Sequence, residues 1–472
     1  MKRGMMRVGA MALVASVLTA FAWTAQAEEC RIEVDFAASA GPVRPMHGVG
    51  QPPMVGALND WTMLHYLKEA GIPYARLHDV GGWLGGGLYV DIPNLFTDFD
   101  ADENDPGNYR FAFTDSLMKA LEANGVEPFF RLGVTIENWV NWPGRGLPPL
   151  RTNPPRDFAK WARICEHVVR HYTEGWANGF KMKIEHWEIW NEPECEPKPE
   201  INPMWSGTWG EYCRFYETVA KHLKKEFPHL KIGGYGSSGF YAAAPGKWVC
   251  PRTVYMVDCC TNFLAYVRRT NAPLDFFSFH AYSSPKDAVL QAKWIIKTLR
   301  DYGFADVETS LNEWHTGGGS GIEKLGTAEQ AAEICAEMIG LQKTGLDSAM
   351  IYDARCSVGV YSPLFNPLTQ KPHKAYGALK AFNELYKIKN SVRATSDDED
   401  VWVLAACNGQ SAKMLVANTS GEAKEIVWRL QGRSVKSVIL MDETHDYEKV
   451  EPRNDLPPHS FALLEFAERD CK

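Results

Sequence analysis

Between Met46 and Tyr386 the chain switches repeatedly between two hydrophobic periods, and that alternation limits its fold more than any other feature. Helical spacing marks residues 61–70, 114–123, 157–172, 211–227, 255–269, 286–302, 328–344 and 374–386. Between them lie short buried-strand patterns at 46–50, 74–79, 127–133, 184–192, 231–235, 275–282, 307–315 and 348–353. Gly71 and the Asn124-Gly125 pair stop helices where the period changes. Eight strands with intervening helices over about 340 residues predict an α/β fold, a closed (β/α)8 barrel. A doubly wound sheet would need a phosphate-binding turn after an early strand, and none is present.

From about Val392 the texture changes. Short strand patterns at 401–404, 413–417, 425–430, 435–440 and 461–466 follow one another with no helix between them, which predicts a C-terminal antiparallel β-sandwich. The strand pattern at 31–36 precedes the barrel and is placed to join it. The expected layout is a signal peptide at 1–27, an N-terminal strand segment at 28–44, a catalytic barrel at 45–390 and a sandwich at 391–472. The signal peptide is read from Lys2, Arg3 and Arg7, an apolar run at 8–23 and the small-residue site Ala25-Gln26-Ala27. Secretion or export to a periplasm is therefore expected, with cleavage after Ala27 and no membrane insertion of the mature chain.

A hydrophobic content of 45% excludes a disordered chain, and a net charge of -8 without a Lys/Arg run argues against nucleic acid as a partner. The 16 tryptophans supply either core or the flat faces on which sugar rings stack. Eleven cysteines in an exported chain permit disulfides, with Cys250, Cys259 and Cys260 the nearest local partners. Cys165 and Cys335 sit in helical apolar stripes and read as small hydrophobes. No C-x-x-C pair supports zinc, and no metal or other cofactor is expected.

The chemistry concentrates at two strand ends. The pattern at 184–192 is buried on both faces and ends in Asn191-Glu192-Pro193, which sets a carboxylate where barrels keep their reacting groups. Glu313 ends the seventh strand pattern as Glu192 ends the fourth, so barrel closure would bring both to one mouth. Such a pair suits glycoside hydrolysis: one carboxyl gives a proton to the leaving oxygen while the other attacks the anomeric carbon. Other patterns carry less. His167 and His171 lack the Glu of a zinc protease motif, and the glycine-rich 233–239 and 317–321 lack the Lys of a phosphate loop. Glu188, Glu194, Glu196 and Glu200 read by default as a charged surface loop, with calcium as the alternative.

Trp190-Asn191-Glu192-Pro193 with Asn312-Glu313-Trp314-His315 resembles the clan A retaining glycoside hydrolases. Arg76-Leu77-His78-Asp79, Asp91-Ile92-Pro93-Asn94, Asn108-Tyr109-Arg110-Phe111 and 275–282 are similar to glycoside hydrolase family 39, which contains β-xylosidases and α-L-iduronidases. The resemblance implies that Glu192 is the acid/base and Glu313 the nucleophile. It also implies that Asn191 binds the sugar 2-hydroxyl, that His78 contacts a ring hydroxyl, and that His280 and Tyr282 line the pocket, the Tyr282 phenol holding the nucleophile. Where many clan members carry a Trp at the eighth strand end, this chain has Tyr352, followed by Asp353 and Arg355. Tyr352 can replace the Trp, and Asp353 or Arg355 can reach sugar hydroxyls or form a rim salt bridge. The iduronidase branch sets a Lys two residues after the sixth-strand His; Tyr282 stands there, which favours a neutral sugar.

The expected function is a retaining, exo-acting β-xylosidase-like hydrolase with an oligo- or polysaccharide substrate. The alternatives are another specificity (α-L-iduronidase, arabinosidase, galactosidase or endo-acting polysaccharide hydrolase, depending on loops at 139–149 and 205–209) and an inactive carbohydrate-binding barrel. Both glutamates are present, which argues against decay to the last of these.

Overall fold

The computed structural model describes residues 28–53, 63–77, 90–133, 152–243, 249–317, 322–356 and 359–467. The first strand, β1 (Glu28–Pro42), belongs to a C-terminal sheet. The next eight close into a parallel barrel in chain order: β2 (Gly48–Gly50), β3 (Tyr74–Leu77), β4 (Glu127–Leu132), β5 (His186–Ile189), β6 (Lys231–Ser237), β7 (Phe276–Ser283), β8 (Glu308–Thr316) and β9 (Ser348–Ile351). The (β/α)8 expectation is met. β2 closes the ring by pairing with both β3 and β9. A Cβ at Gly48 would stand 2.9 Å from the Ala349 carbonyl, so this close approach needs glycine.

The helices around the barrel are α1 (Leu64–Glu69), α2 (Ile92–Leu95), α3 (Ala112–Ala123), α4 (Phe158–Thr173), α5 (Trp209–Glu226), α6 (Pro251–Thr270), α7 (Pro285–Asp301), α8 (Ala328–Gln342) and α9 (Lys374–Tyr386). α5 begins two residues before the expected start because Thr208 and Glu211 form a capping box, each side chain accepting from the other's backbone N–H at 3.2 and 2.8 Å. α6 begins four residues early, with Pro251 in the first turn, where the missing N–H costs nothing.

After α9 come β10 (Asn390–Ser396), β11 (Val401–Cys407), β12 (Ala412–Asn418), β13 (Lys424–Arg429), β14 (Val435–Met441), β15 (Asp446–Val450), β16 (Asp455–Leu456) and β17 (Ser460–Phe466). They form one curled sheet in the order β15-β14-β17-β12-β11-β10-β1-β13-β16, with β1 antiparallel to β10 and parallel to β13. Its two faces follow the strand period of two. Val403, Ala405, Met414 and Val416 pack with Ile32 and Leu464 in the sheet's own core. Their neighbours Leu404, Ala406, Leu415 and Ala417 join the barrel's core, and the contacts run through α8 and α9. β10 and β15 escape the sequence patterns because Asn390-Ser391 and Asp446-Tyr447-Glu448-Lys449 are too polar to register. On β15 that polarity protects a sheet edge.

All ten described cysteines are free thiols, so the expected pairing of Cys250 with Cys259 or Cys260 is not found. Cys250 caps α6, and nine residues of helix carry Cys259 about 13.5 Å along the axis, whereas a disulfide needs α-carbons within about 7 Å. Cys165 and Cys335 are fully buried. No described helix is long and apolar enough to cross a membrane.

Candidate active site

Two local irregularities position the two candidate acids. β5 ends at Ile189, and Glu192 lies beyond it in a turn where Trp190 and Glu192 take left-handed φ values of 72° and 46°. Such angles cost a non-glycine residue roughly 1–2 kcal/mol each, and the surroundings offset them. Trp190 is buried among Trp161, Trp205 and Phe215, with its indole N–H donating to the Met204 carbonyl at 2.9 Å. The Glu192 N–H donates to the Gly236 carbonyl at 2.9 Å, tying the turn to the end of β6. On β8 the register slips between Leu311 and Glu313, so two consecutive side chains, Asn312 and Glu313, both face the site. A regular pleat would turn one of them away.

Arg76, fully enclosed on β3, is the hub. It donates from Nε to Glu188 at 2.7 Å, from Nη1 to Glu313 at 2.9 Å and from Nη2 to the Asn191 carbonyl oxygen at 2.6 Å. Glu188 also accepts from Ser278 and Asn312, both at 2.6 Å. Burial alone would raise the Glu188 pKa, but Arg76 and these two donors outweigh it and hold the carboxylate below its ordinary range. Arg76 is likewise pushed up despite its burial, by Glu188 and Glu313.

His280 stands between the two candidate acids, with Nδ1 2.7 Å from Glu192 and Nε2 3.7 Å from Glu313. Burial pulls its pKa down, but the flanking glutamates outweigh burial and the net shift is upward. One oxygen of each glutamate and a ring nitrogen of His280 all lie within 4.8 Å of one another. Retaining hydrolysis calls for carboxyl groups about 5 Å apart, whereas inversion needs about 6.5 Å or more to admit water. Tyr282 donates its phenol to the other Glu313 oxygen, and burial together with Glu313 keeps that phenol protonated.

The structure brings Glu192, Glu313, Asn191, His280 and Tyr282 together at one mouth, 7% and 5% of the two acids remaining exposed. Arg76 accepts no proton, so it fixes which end of the Asn191 amide faces it. Among the described residues the Nδ2 group is left buried with no partner, available to a ligand acceptor. Tyr352 lies at the end of β9, its phenol accepting from Gln51 at 2.7 Å. Asp353 and Arg355 pair with each other at 2.6 Å in a salt bridge at the barrel rim. His78 and 139–149 lie outside the described residues. Trp205 is core, buried against Trp190 and Tyr212.

The charged-surface-loop reading of Glu188 and Glu194 is overturned, since both are fully buried. Arg76, Glu188, Ser278 and Gln51 are the groups that sequence reasoning missed as site residues. The only signal for Arg76, Glu188 and Ser278 was charge or polarity within strand patterns, and Gln51 follows directly on one. Asp91 pairs with buried Arg131 at 2.9 Å and serves the scaffold. His167 and His171 pack on Trp176 and Asp115. The spacing of Glu192, His280 and Glu313 would also suit a cation, but the Arg76 guanidinium already occupies Glu313.

Glu194 makes a measurable consequence. One oxygen accepts from Ser237 Oγ at 2.7 Å and Ser238 N–H at 2.8 Å, while the other has no partner among the described residues. Burial, reinforced by Glu192, raises its pKa from 4.5 to about 7. The folded state therefore holds this proton after the unfolded chain has lost it, and stability falls as pH rises from 4.5 toward 7. Glu194→Gln removes that penalty, so its stability relative to the parent should grow by about 3 kcal/mol between pH 4.5 and 7.5. Urea unfolding at several pH values checks this, and a difference independent of pH would refute it.

Comparison with known proteins agrees with this geometry. A family model described as "Glycosyl hydrolases family 39" matches residues 30–302. A β-xylosidase from Geobacillus stearothermophilus is 24% identical over 277 residues, 53% of this chain and 48% of that protein. A β-xylosidase from Caldicellulosiruptor saccharolyticus is 28% identical over 223 residues, 45% of this chain and 37% of that one. The chain thus spans about half or less of the length of these relatives. Among solved structures, a glucosidase from Croceicoccus marinus superposes with TM-score 0.71 at 20% identity, covering 93% of this chain and 99% of the other. A monomeric β-xylosidase from Caulobacter crescentus gives 0.64 at 18%, covering 92% and 99%. At these identities the structural likeness speaks for the fold.

Proposed function

This chain belongs to the family 39 glycosyl hydrolases, and from that premise we propose that it hydrolyses O-glycosidic bonds with net retention, acting on the end of a chain of neutral sugars. The observation that carries the reading is the Glu192–Glu313 pair, whose oxygens approach within 4.8 Å across His280.

In the first step a Glu313 oxygen bonds to the anomeric carbon as the glycosidic C–O bond breaks, and Glu192 gives its proton to the departing oxygen. Arg76 and Tyr282 hold Glu313 by its two oxygens, so the nucleophile is aimed before the sugar arrives. Once Glu313 is esterified its charge is gone, and Glu192 can take a proton from the water that attacks the anomeric carbon and releases the sugar. The Asn191 amide, unpartnered among the described residues, can donate to the sugar 2-hydroxyl, a bond that strengthens as positive charge builds on the ring.

A neutral glycone fits because, among the described residues, the arginines at this mouth are committed, Arg76 to Glu188 and Glu313 and Arg355 to Asp353. The β-xylosidase relatives support a β-xyloside as substrate. The leader-like 1–27 supports export. A panel of nitrophenyl glycosides, followed by proton NMR of the first-formed anomer, tests the proposal. Hydrolysis of the β-xyloside with the β-anomer appearing first is expected. The α-anomer appearing first, or no hydrolysis of any glycoside, would end it.

A further inference from the structure

The loop that leaves β9 is built to return to the site. Buried Asp353 staples it: Oδ2 accepts from Arg355 Nε at 2.8 Å and Nη2 at 2.6 Å, while Oδ1 accepts from the Arg355 N–H at 3.0 Å and Ser362 Oγ at 3.1 Å. The Asp353 N–H donates to the Tyr361 carbonyl at 2.6 Å, which brings position 361 back beside the strand end. There the Tyr361 ring lies 5.2 Å from that of Tyr282, 5.7 Å from His315 and 5.9 Å from Tyr352, the tyrosine contacts edge to face. Tyr282 holds the nucleophile with its phenol, so Tyr361 stands one ring away from Glu313. Tyr352 is itself braced by Gln51 at its phenol and by the Arg355 guanidinium 5.8 Å over its ring. Tyr282 and Tyr361 are only partly buried, so the cluster keeps some solvent-accessible surface.

We propose that Tyr361 is a specificity-determining residue, a wall at the sugar-binding end of the site that admits a pentopyranosyl unit and disfavours a hexopyranosyl unit carrying a hydroxymethyl arm. The inference rests on the proposed function above. Its direction comes from the two acids. Glu192 protonates the departing oxygen, so the leaving group lies on its side, at the end of the fourth barrel strand. The tyrosine cluster gathers around the sixth and eighth barrel strands, which flank Glu313 on the seventh, and touches the nucleophile's carboxylate through Tyr282, so it lies at the sugar that becomes esterified. Its selectivity comes from packing. Three rings wedged edge to face and tied by Gln51, Arg355 and the Asp353 staple have little room to yield. An added hydroxymethyl group would either clash with the wall or lose the hydration of its hydroxyl against an aromatic face. Arg355 sits in the same loop but is held by Asp353, so the wall recognises size rather than charge.

The test compares kcat/KM for p-nitrophenyl β-D-xylopyranoside and β-D-glucopyranoside in the full chain, Tyr361→Phe and Tyr361→Ala. Both constants are taken on one preparation, so their ratio is independent of the folded fraction. The parent should favour the xyloside, Tyr361→Phe should keep the ratio within about threefold, and Tyr361→Ala should lower it by about tenfold or more. An unchanged ratio in Tyr361→Ala overturns the wall, as does a parent that takes the glucoside equally well. A parent that hydrolyses neither sinks the proposed function and this inference with it, whereas an active parent with an unchanged alanine ratio sinks this inference alone.

Discussion

If the proposed mechanism holds, Glu313→Ala should lower turnover of an activated aryl β-xyloside by on the order of 10⁵-fold, about 7 kcal/mol of barrier, because it removes the group proposed to form the covalent intermediate. The pocket should survive. Arg76 keeps Glu188 and Asn191 as partners, and His280 keeps Glu192. The space vacated by the carboxylate can then admit azide, which would attack from the same side with Glu192 still present as the acid. Restored release of nitrophenol with formation of an α-xylosyl azide is the expected result. Glu192→Ala should behave oppositely: cleavage of a good leaving group persists to the covalent stage, and azide enters from the other side to give the β-xylosyl azide. Parent-like activity in Glu313→Ala, or azide products with these configurations exchanged, would remove Glu313 from the reaction.

The second large effect belongs to a residue that need not touch substrate. Arg76→Met leaves Glu188 and Glu313 facing each other without their shared cation, and removal of one partner from a buried ion pair costs about 3–5 kcal/mol. The loss has a defined pH dependence. In the parent, Arg76 holds the Glu188 pKa below its ordinary value, so this pairing stabilises the fold above the unfolded pKa and is lost as pH falls through the folded one. Without the guanidinium, burial dominates, Glu188 becomes hard to ionise, and stability falls as pH rises past the unfolded value. The deficit of Arg76→Met should therefore be largest near pH 7 and shrink toward pH 4. Denaturant unfolding at the two values measures it. Adding Glu188→Gln to Arg76→Met should restore part of the neutral-pH loss, since one orphaned charge is gone. A variant melting like the parent at pH 7 would mean that the cluster is not held as described.

By itself the sequence determined the barrel and its strand order and marked the two candidate acids, because those are written in local terms. Hydrophobic period separates strand from helix within a few residues, and Asn191-Glu192-Pro193 and Asn312-Glu313 stand where that period breaks. Ranges such as 374–386 agree with α9 to the residue for the same reason. Only the tertiary structure decided which charges were spent internally. Glu188 and Glu194 look like solvated acids in sequence, yet one is locked by Arg76 from a strand 112 positions earlier and the other by Ser237 from 43 positions later. The slip at Asn312 that turns two neighbours inward depends on pairing with β7, and the return of Tyr361 depends on the Asp353 staple. Periodicity records what each segment buries. The identity of a buried charge's partner is set by barrel closure, which joins residues that no local pattern relates.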